Sequence, residues 1–161
     1  MNMSQFISQN SDVILRLVLA MFLGMLIGAE RLIVHKEAGM KTHALVSMGA
    51  ALFMIISEMM VQQYAHLPGL NPTMMPAQII LGIGFLGAGS IMLQGSKLLG
   101  LTTAGGLWVT AGIGMAAGFG LFSLATIATV LVLLIFIMMN IFEEPLRKIA
   151  EKNLQEDKNG S

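Results

Sequence analysis

The chain has 161 residues, of which 55 % are hydrophobic and 11 % are charged, with nine basic and nine acidic side chains. Few charges and 18 glycines are typical of an integral membrane protein. The zero formal net charge gives no electrostatic basis for binding nucleic acid. The absence of cysteine excludes disulfides, thiolate metal sites and a cysteine nucleophile.

Five apolar segments follow one another and predict five transmembrane helices in an all-α, polytopic membrane protein. The second segment has about 22 residues, or roughly 33 Å of helix, which matches the thickness of a bilayer core. Residues 1–11 predict a short polar arm, and residues 143–161 predict a charged tail. The spans are expected at about 12–29, 42–63, 76–93, 101–118 and 121–142.

The basic residues predict the orientation of these spans. Three lie in the link 31–41, one (Lys97) lies in the link after span three, and four lie in 147–158. The N-terminal arm and the links after spans two and four contain no lysine or arginine, and Arg16 lies within span one. The positive-inside rule therefore predicts an N-terminus outside and a cytoplasmic C-terminus.

Twelve of the 18 glycines lie between Gly82 and Gly120, among apolar residues. In lipid, small residues let helix backbones approach closely, so the pattern predicts packed helices rather than a loop. The spacing Gly82-x-Gly84-x-x-Gly87 also spells a dinucleotide fingerprint, but no strand precedes it. The residues assigned to helix packing are Gly24, Gly28, Gly82, Gly84, Gly87, Gly89 and Trp108.

Two charged residues, Arg16 and Glu58, fall roughly 6–8 Å below the predicted outer boundary. A lone charge at this depth is costly, and intramembrane ionisable groups usually pair or line a cavity. The two residues are therefore candidates for an ion pair between spans one and two. Alternatively, Arg16 extends outward to water or pairs with Asp12 one turn back.

A second group of polar residues, the candidate cluster named at the end of this paragraph, lies near the predicted cytoplasmic boundary. His43 and Asn140 are at the same depth. One interpretation is that its charges only mark the interface and its threonines cap span four. The other is that Glu30, held between Arg31 and Lys41, fixes the inner ends of two spans. Magnesium prefers octahedral oxygen ligands, so no metal ligand set is assigned. The candidate cluster comprises Glu30, Arg31, Lys41, Thr42, Gln94, Thr102 and Thr103.

Four short motifs in one order resemble the MgtC/SapB family over about residues 12–142. They are Gly24-x-x-x-Gly28-Ala-Glu30-Arg31, Gly-Met-Lys-Thr-His-Ala-Leu-Val (39–46), Gly-Ile-Gly-Phe-Leu-Gly-Ala-Gly (82–89), and Gly-Leu-Thr-Thr-Ala (100–104) with Trp108. Two positions depart from the family pattern, which usually has Arg in place of Lys41 and often Ala in place of Gly105.

The resemblance implies a multi-pass protein of the bacterial inner membrane that serves in adaptation to low magnesium or related stress. Two mechanisms stay open: a non-enzymatic regulator of another membrane complex, such as the F-type ATP synthase, or a magnesium transporter that acts as an oligomer. No nucleophile–base pair or carboxylate dyad appears in the sequence, so we expect neither an enzyme nor a cofactor. The expected partners are the lipid bilayer, further copies of the chain in a homo-oligomer, and another membrane complex such as the F-type ATP synthase.

Overall fold

Six helices and one β-hairpin form the part of the chain that the structure, a computed structural model, describes: residues 3–66, 71 and 73–159. The helices are α1 (Met3–Gln9), α2 (Ser11–Ile33), α3 (Met40–Gln63), α4 (Met74–Gly89), α5 (Leu101–Gly118) and α6 (Phe122–Asn159). The hairpin lies between α4 and α5 and consists of β1 (Met92–Gln94) and β2 (Lys97–Leu99).

The predicted all-α membrane protein is confirmed. Among the described residues, three helical segments are long and apolar enough to cross a membrane: α2, α3 and the Phe122–Phe142 part of α6. Helix α4 is also apolar but has only 16 residues, and α5 has 18. Their exposed surfaces carry many large apolar side chains, as expected where the neighbour is lipid rather than water.

The structure differs from the sequence-based expectation at three places. Residues 3–9 of the predicted arm form a short helix. Helix α4 ends at Gly89, and an antiparallel hairpin follows in place of a simple polar turn, with Met92 opposite Leu99. Its two-residue turn has Gly95 at a φ of 62°, a conformation that short hairpin turns require. Helix α6 continues past Pro145, although the composition changes from apolar to charged near that residue.

Close contact between α2 and α3 depends on two glycines. A Cβ atom built on Gly24 would lie 2.5 Å from the carbonyl oxygen of His43, and one on Gly28 would lie 2.5 Å from the Cα atom of Met40. The end of α2 therefore meets the beginning of α3, and the two helices run antiparallel. Gly24 and Gly28 are packing glycines, as the sequence predicts.

Helix α5 packs against α3 in the same way. A Cβ atom on Gly114 would overlap the backbone carbonyl of Ser47, and one on Gly118 would lie 2.7 Å from the carbonyl oxygen of Ala51. Along this contact, residue numbers increase in the same direction on α5 (114 to 118) and on α3 (47 to 51), so the two helices run parallel. The centre of the bundle is thus a tight set of three helices, α2, α3 and α5.

Helices α4 and α6 lie against this centre. Gly87 of α4 approaches Ala104 near the start of α5, and Phe136 of α6 approaches Gly106 of α5. Both outer helices therefore run antiparallel to α5. Helix α4 is at the edge of the bundle, and only two of its residues are buried.

The prediction that Gly82, Gly84 and Gly89 mediate close helix packing was wrong within this chain. A Cβ atom on any of the three would meet no atom within 4 Å among the described residues. At Gly87 the nearest atom would be 3.6 Å away, which is ordinary contact. Trp108 is 54 % exposed and does not pack in the core. The close approaches lie elsewhere because α4 occupies the edge of the bundle.

The tight turn between α5 and α6 ends α5 with a Schellman motif. The amide of Gly120 donates to the carbonyl of Ala117 (3.0 Å), and the amide of Leu121 donates to that of Ala116 (2.9 Å). Gly120 has a φ of 76°, which glycine adopts without a steric penalty. This turn leaves the last carbonyl groups of α5 beside Arg16 of α2.

Candidate functional site

A buried ion pair lies at the end of α2. The Nε atom of Arg31 donates to one carboxylate oxygen of Glu30 (2.5 Å), and its Nη2 atom donates to the other (2.8 Å). Arg31 is 1 % exposed and Glu30 is 9 % exposed. Two parallel hydrogen bonds of this kind are the geometry that a guanidinium group favours with a carboxylate. Because both groups are buried, removing either one would leave the charge of the other unpaired, which is strongly destabilising.

Helix α6 completes this pair. The side-chain amide of Asn140 donates to Glu30 Oε1 (2.7 Å), across 110 residues of sequence. The guanidinium carbon of Arg31 lies 3.7 Å from the centre of the Phe136 ring, one turn before Asn140 on α6. A cation over an aromatic face is stabilised by the quadrupole of the ring. Carboxylate and guanidinium groups of α2 are therefore both held by α6, which fixes the ends of these two helices together.

His43 of α3 is fully buried, and its ring approaches Gly106 of α5, as the ring of Phe136 does. Its Nδ1 atom lies 3.1 Å from the carbonyl oxygen of Gly39, which the ring can reach as a donor. Its Nε2 atom and the hydroxyl of Ser47, one turn further along α3, have no hydrogen-bond partner in the described part of the chain. Polar groups thus extend from the ion pair into the three-helix centre.

The candidate cluster predicted at the cytoplasmic boundary divides into two parts. Glu30, Arg31 and Thr103 are buried, and the first two form the ion pair. Of the two residues predicted to hold Glu30, Arg31 does so, but the prediction for Lys41 was wrong, because Asn140 of α6 is the second partner and Lys41 is exposed. The remaining members of the cluster are exposed, namely Lys41, Thr42, Gln94 and Thr102.

Asn140, His43 and Phe136 belong to the site although none of them is in the predicted cluster; the sequence indicates the depth of the first two but gives no indication of Phe136. A signal for Asn140 exists, since it is an isolated amide inside an apolar span and must find a partner there. No signal distinguishes Phe136 from the other seven phenylalanines, because its contact with Arg31 depends on how α6 is rotated.

At the opposite end of the bundle, Arg16 of α2 joins three elements. Its Nη1 atom donates to Glu58 Oε2 of α3 (2.5 Å) and to the carbonyl oxygen of Gly118 at the end of α5 (3.0 Å). Its Nε atom also forms an ion pair with Asp12 (2.8 Å). The structure therefore contains both partners that the sequence left as alternatives. A cation at the end of α5 also complements the negative end of the helix dipole.

We expect Arg16 and Glu58 to be energetically coupled. In a double-mutant cycle with Arg16→Gln and Glu58→Gln, the loss of stability on making both changes should be smaller than the sum of the single losses by about 1–3 kcal/mol. The reason is that either single variant leaves a charge without its partner in the membrane. Unfolding in detergent measures the effect. Asp12→Asn is the matched control and should cost less, because the Asp12 side chain is 63 % exposed. Additive losses would contradict the coupling.

Within the described ranges, 3–66, 71 and 73–159, no group of three or more His, Asp or Glu side chains is placed to hold a metal ion. The buried Glu30 and the partly exposed Glu58 are each paired with an arginine.

Comparison with known proteins identifies the family of the chain. Residues 17–144 match the model of the MgtC family. The chain belongs to the MgtC family. With this membership and its three membrane-length helices, it is a multi-pass bacterial membrane protein. The resemblance inferred from the four motifs is confirmed.

Several relatives of this MgtC-family protein are known. YhiD of Escherichia coli K12, a candidate magnesium transporter by name, is 39 % identical over 145 residues, which cover 89 % of the chain and 66 % of YhiD. Protein MgtC of Salmonella typhimurium LT2 is 48 % identical over 120 residues, 74 % of the chain and 49 % of MgtC. Protein MgtC of Brucella abortus is 42 % identical over 132 residues, 82 % of the chain and 51 % of that protein.

The chain spans between about half and two thirds of the length of these relatives. No solved structure matches it.

Proposed function

We propose that this protein regulates another complex of the bacterial inner membrane and thereby helps the cell to adapt to low magnesium. In this proposal it is neither an enzyme nor a transporter. The name of its relative YhiD refers to magnesium transport, which supports a role in magnesium handling. The F-type ATP synthase is the candidate target that the family resemblance implies.

The hydrogen bonds that Glu30 accepts are the observation on which this proposal rests. Both of its carboxylate oxygens accept hydrogen bonds from Arg31, and one also accepts from Asn140. A magnesium ion requires oxygen ligands in octahedral geometry and gives up its water reluctantly. A carboxylate already neutralised by a buried arginine is a poor magnesium ligand. The same pairing makes a rigid joint between α2 and α6, which suits a surface that another protein recognises.

The polar layer of Arg16 and Glu58 supports the same interpretation. Glu58 accepts from Arg16 and lies 3.4 Å from the amide nitrogen of Gln62. Its charge is compensated, and Arg16 also ties the end of α5 through Gly118. Both layers thus hold helices together rather than present free carboxylates to a path between them.

We further propose that α2 to α6 form five spans, with the N-terminus outside and the C-terminus in the cytoplasm. The alternating directions of the five helices and the basic residues at one set of helix ends support this orientation.

Topology reporters test the orientation. Fusions after Gln63 and Gly118 should report the outside, whereas fusions after His35 and Lys152 should report the cytoplasm. A cytoplasmic signal at Gln63 would contradict the proposed arrangement, because α3 would then run in the opposite direction.

The alternative function is magnesium transport by an oligomer, which the name of YhiD favours. Liposomes that contain only the purified protein and a magnesium-sensitive dye separate the two functions. We expect magnesium entry at the rate of protein-free liposomes. Entry above that rate, lost in a Glu58→Gln variant, would establish transport and contradict the regulatory proposal.

A further inference from the structure

An apolar groove of about 490 Å³ lies between α3 and α4. Leu45 and Phe53 of α3 line one wall, and Met75 and Leu86 of α4 line the other. Gly82 also lines it, and a Cβ atom there would meet no atom within 4 Å among the described residues. Since α3 is long and apolar enough to cross a membrane, a groove along its middle is at the depth of the apolar part of the bilayer.

The length of the groove matches one leaflet. From Leu45 to Phe53 the wall extends about 12 Å along α3, and from Met75 to Leu86 it extends roughly 16 Å along α4. Half of a bilayer core is about 15 Å thick. One acyl chain of a lipid in the leaflet at the Leu45 end would therefore extend along the whole groove.

Basic residues lie at that same end. Lys41 is exposed and precedes Leu45 by one turn on the same face of α3, about 6 Å beyond the groove. Helix α4 runs opposite to α3, so its end at Gly89 and the hairpin that carries the exposed Lys97 are also at this end. Basic side chains between helices at the membrane surface bind anionic lipid headgroups.

We propose that this groove, together with Lys41 and Lys97, is a binding site for an anionic phospholipid. One acyl chain occupies the groove, and the headgroup phosphate lies between the two ammonium groups. Thr42, which is exposed beside Lys41, offers a hydroxyl donor at the same level. Lys41 and Thr42 are exposed members of the candidate cluster that take no part in the Glu30 ion pair, and the lipid site would give them a role. It is independent of the regulatory function proposed above.

The charge at the mouth favours a lipid over a second copy of this chain. The apolar surface of α4 would suit either occupant, and the positive-inside rule already places lysines at this end. Of the two occupants, only a lipid with a phosphate headgroup also brings a negative charge to these lysines, because its acyl chain in the groove places the headgroup there.

Native mass spectrometry of the full chain in detergent tests the proposal, with phosphatidylglycerol and phosphatidylcholine of identical acyl chains as probes. Wild type should retain one phosphatidylglycerol about tenfold more tightly than phosphatidylcholine. Lys41→Gln/Lys97→Gln should bring phosphatidylglycerol to the level of phosphatidylcholine. Lys36→Gln is the matched control, since Lys36 is exposed on the α2–α3 link outside the groove, and it should behave as wild type.

A Gly82→Leu variant tests the groove itself and should lower retention of both lipids. Equal retention of the two lipids by wild type would overturn the proposal, as would a double lysine variant that binds like wild type. An equal loss in Lys36→Gln would show that only general surface charge attracts the lipid. If Gly82→Leu instead converts a dimer into a monomer without changing lipid retention, the groove is filled by a second copy. If that variant does not fold, the lysine variants still decide, because both side chains are exposed.

Discussion

Glu30→Gln is expected to lower the free energy of unfolding by about 3–5 kcal/mol, because it leaves the buried guanidinium group of Arg31 without its anion. Glutamine has nearly the same shape, so the loss reports charge rather than a cavity. The measurement is the thermal unfolding midpoint in detergent. Glu37→Gln is the matched control, since Glu37 is an exposed carboxylate on the link that follows α2, and its midpoint should stay near that of wild type.

The double variant Glu30→Gln/Arg31→Gln shows whether the loss belongs to the pair. It removes both charges, so it should be more stable than the sum of the two single losses predicts. Its remaining loss should reflect the cation–aromatic contact with Phe136 and the hydrogen bond from Asn140. If the single losses simply add, the ion pair does not hold the end of α2 as the structure indicates.

Gly114→Ala should destabilise the bundle by about 1–3 kcal/mol or more, the range for overpacked cores. The added methyl group would overlap the backbone carbonyl of Ser47, and a backbone atom cannot move aside as a side chain can. The two central helices must therefore separate. Unfolding in detergent, compared with wild type, measures the loss.

Gly112→Ala provides the matched control for this change. It lies two residues away on the same helix, and a Cβ atom there would meet no atom within 4 Å among the described residues. Alanine is the better helix former, so the variant should be as stable as wild type or slightly more stable. Equal losses at the two positions would mean that glycine acts through helix flexibility rather than through contact with α3.

These two glycines show how far the sequence could predict the packing. Composition and apolar segment length place five helices, although α4 ends four residues before the expected boundary at residue 93. Helices α4 and α5 are apolar on all sides, so no polar face indicates which glycines point inward. The abundance of glycine in α4 therefore predicted close packing at Gly82 and Gly84, whereas the close contacts are at Gly114 and Gly118.

The candidate site was predictable to the extent that charge is rare in an apolar helix. Glu30 and Arg31 are conspicuous for that reason, and their depth follows from the helix boundaries. Their partner on α6 could not be derived, because Asn140 is 110 residues distant and reaches Glu30 only through the rotation of α6. Lys41 is opposite in charge and begins the second span at the same predicted depth, so the sequence favours it as the partner, but its side chain is exposed.

The most direct test of the account is growth at low magnesium of a bacterial strain that requires an MgtC-family protein and carries Asn140→Ala. This change removes one hydrogen bond to Glu30 while its pair with Arg31 remains, so the protein should still be present in the membrane at wild-type levels. Thr126→Ala, at an exposed position of the same helix, is the control and should support full growth. We predict that Asn140→Ala fails to support growth. Full growth of that variant at wild-type protein levels would contradict the claim that the joint between α2 and α6 is the functional site.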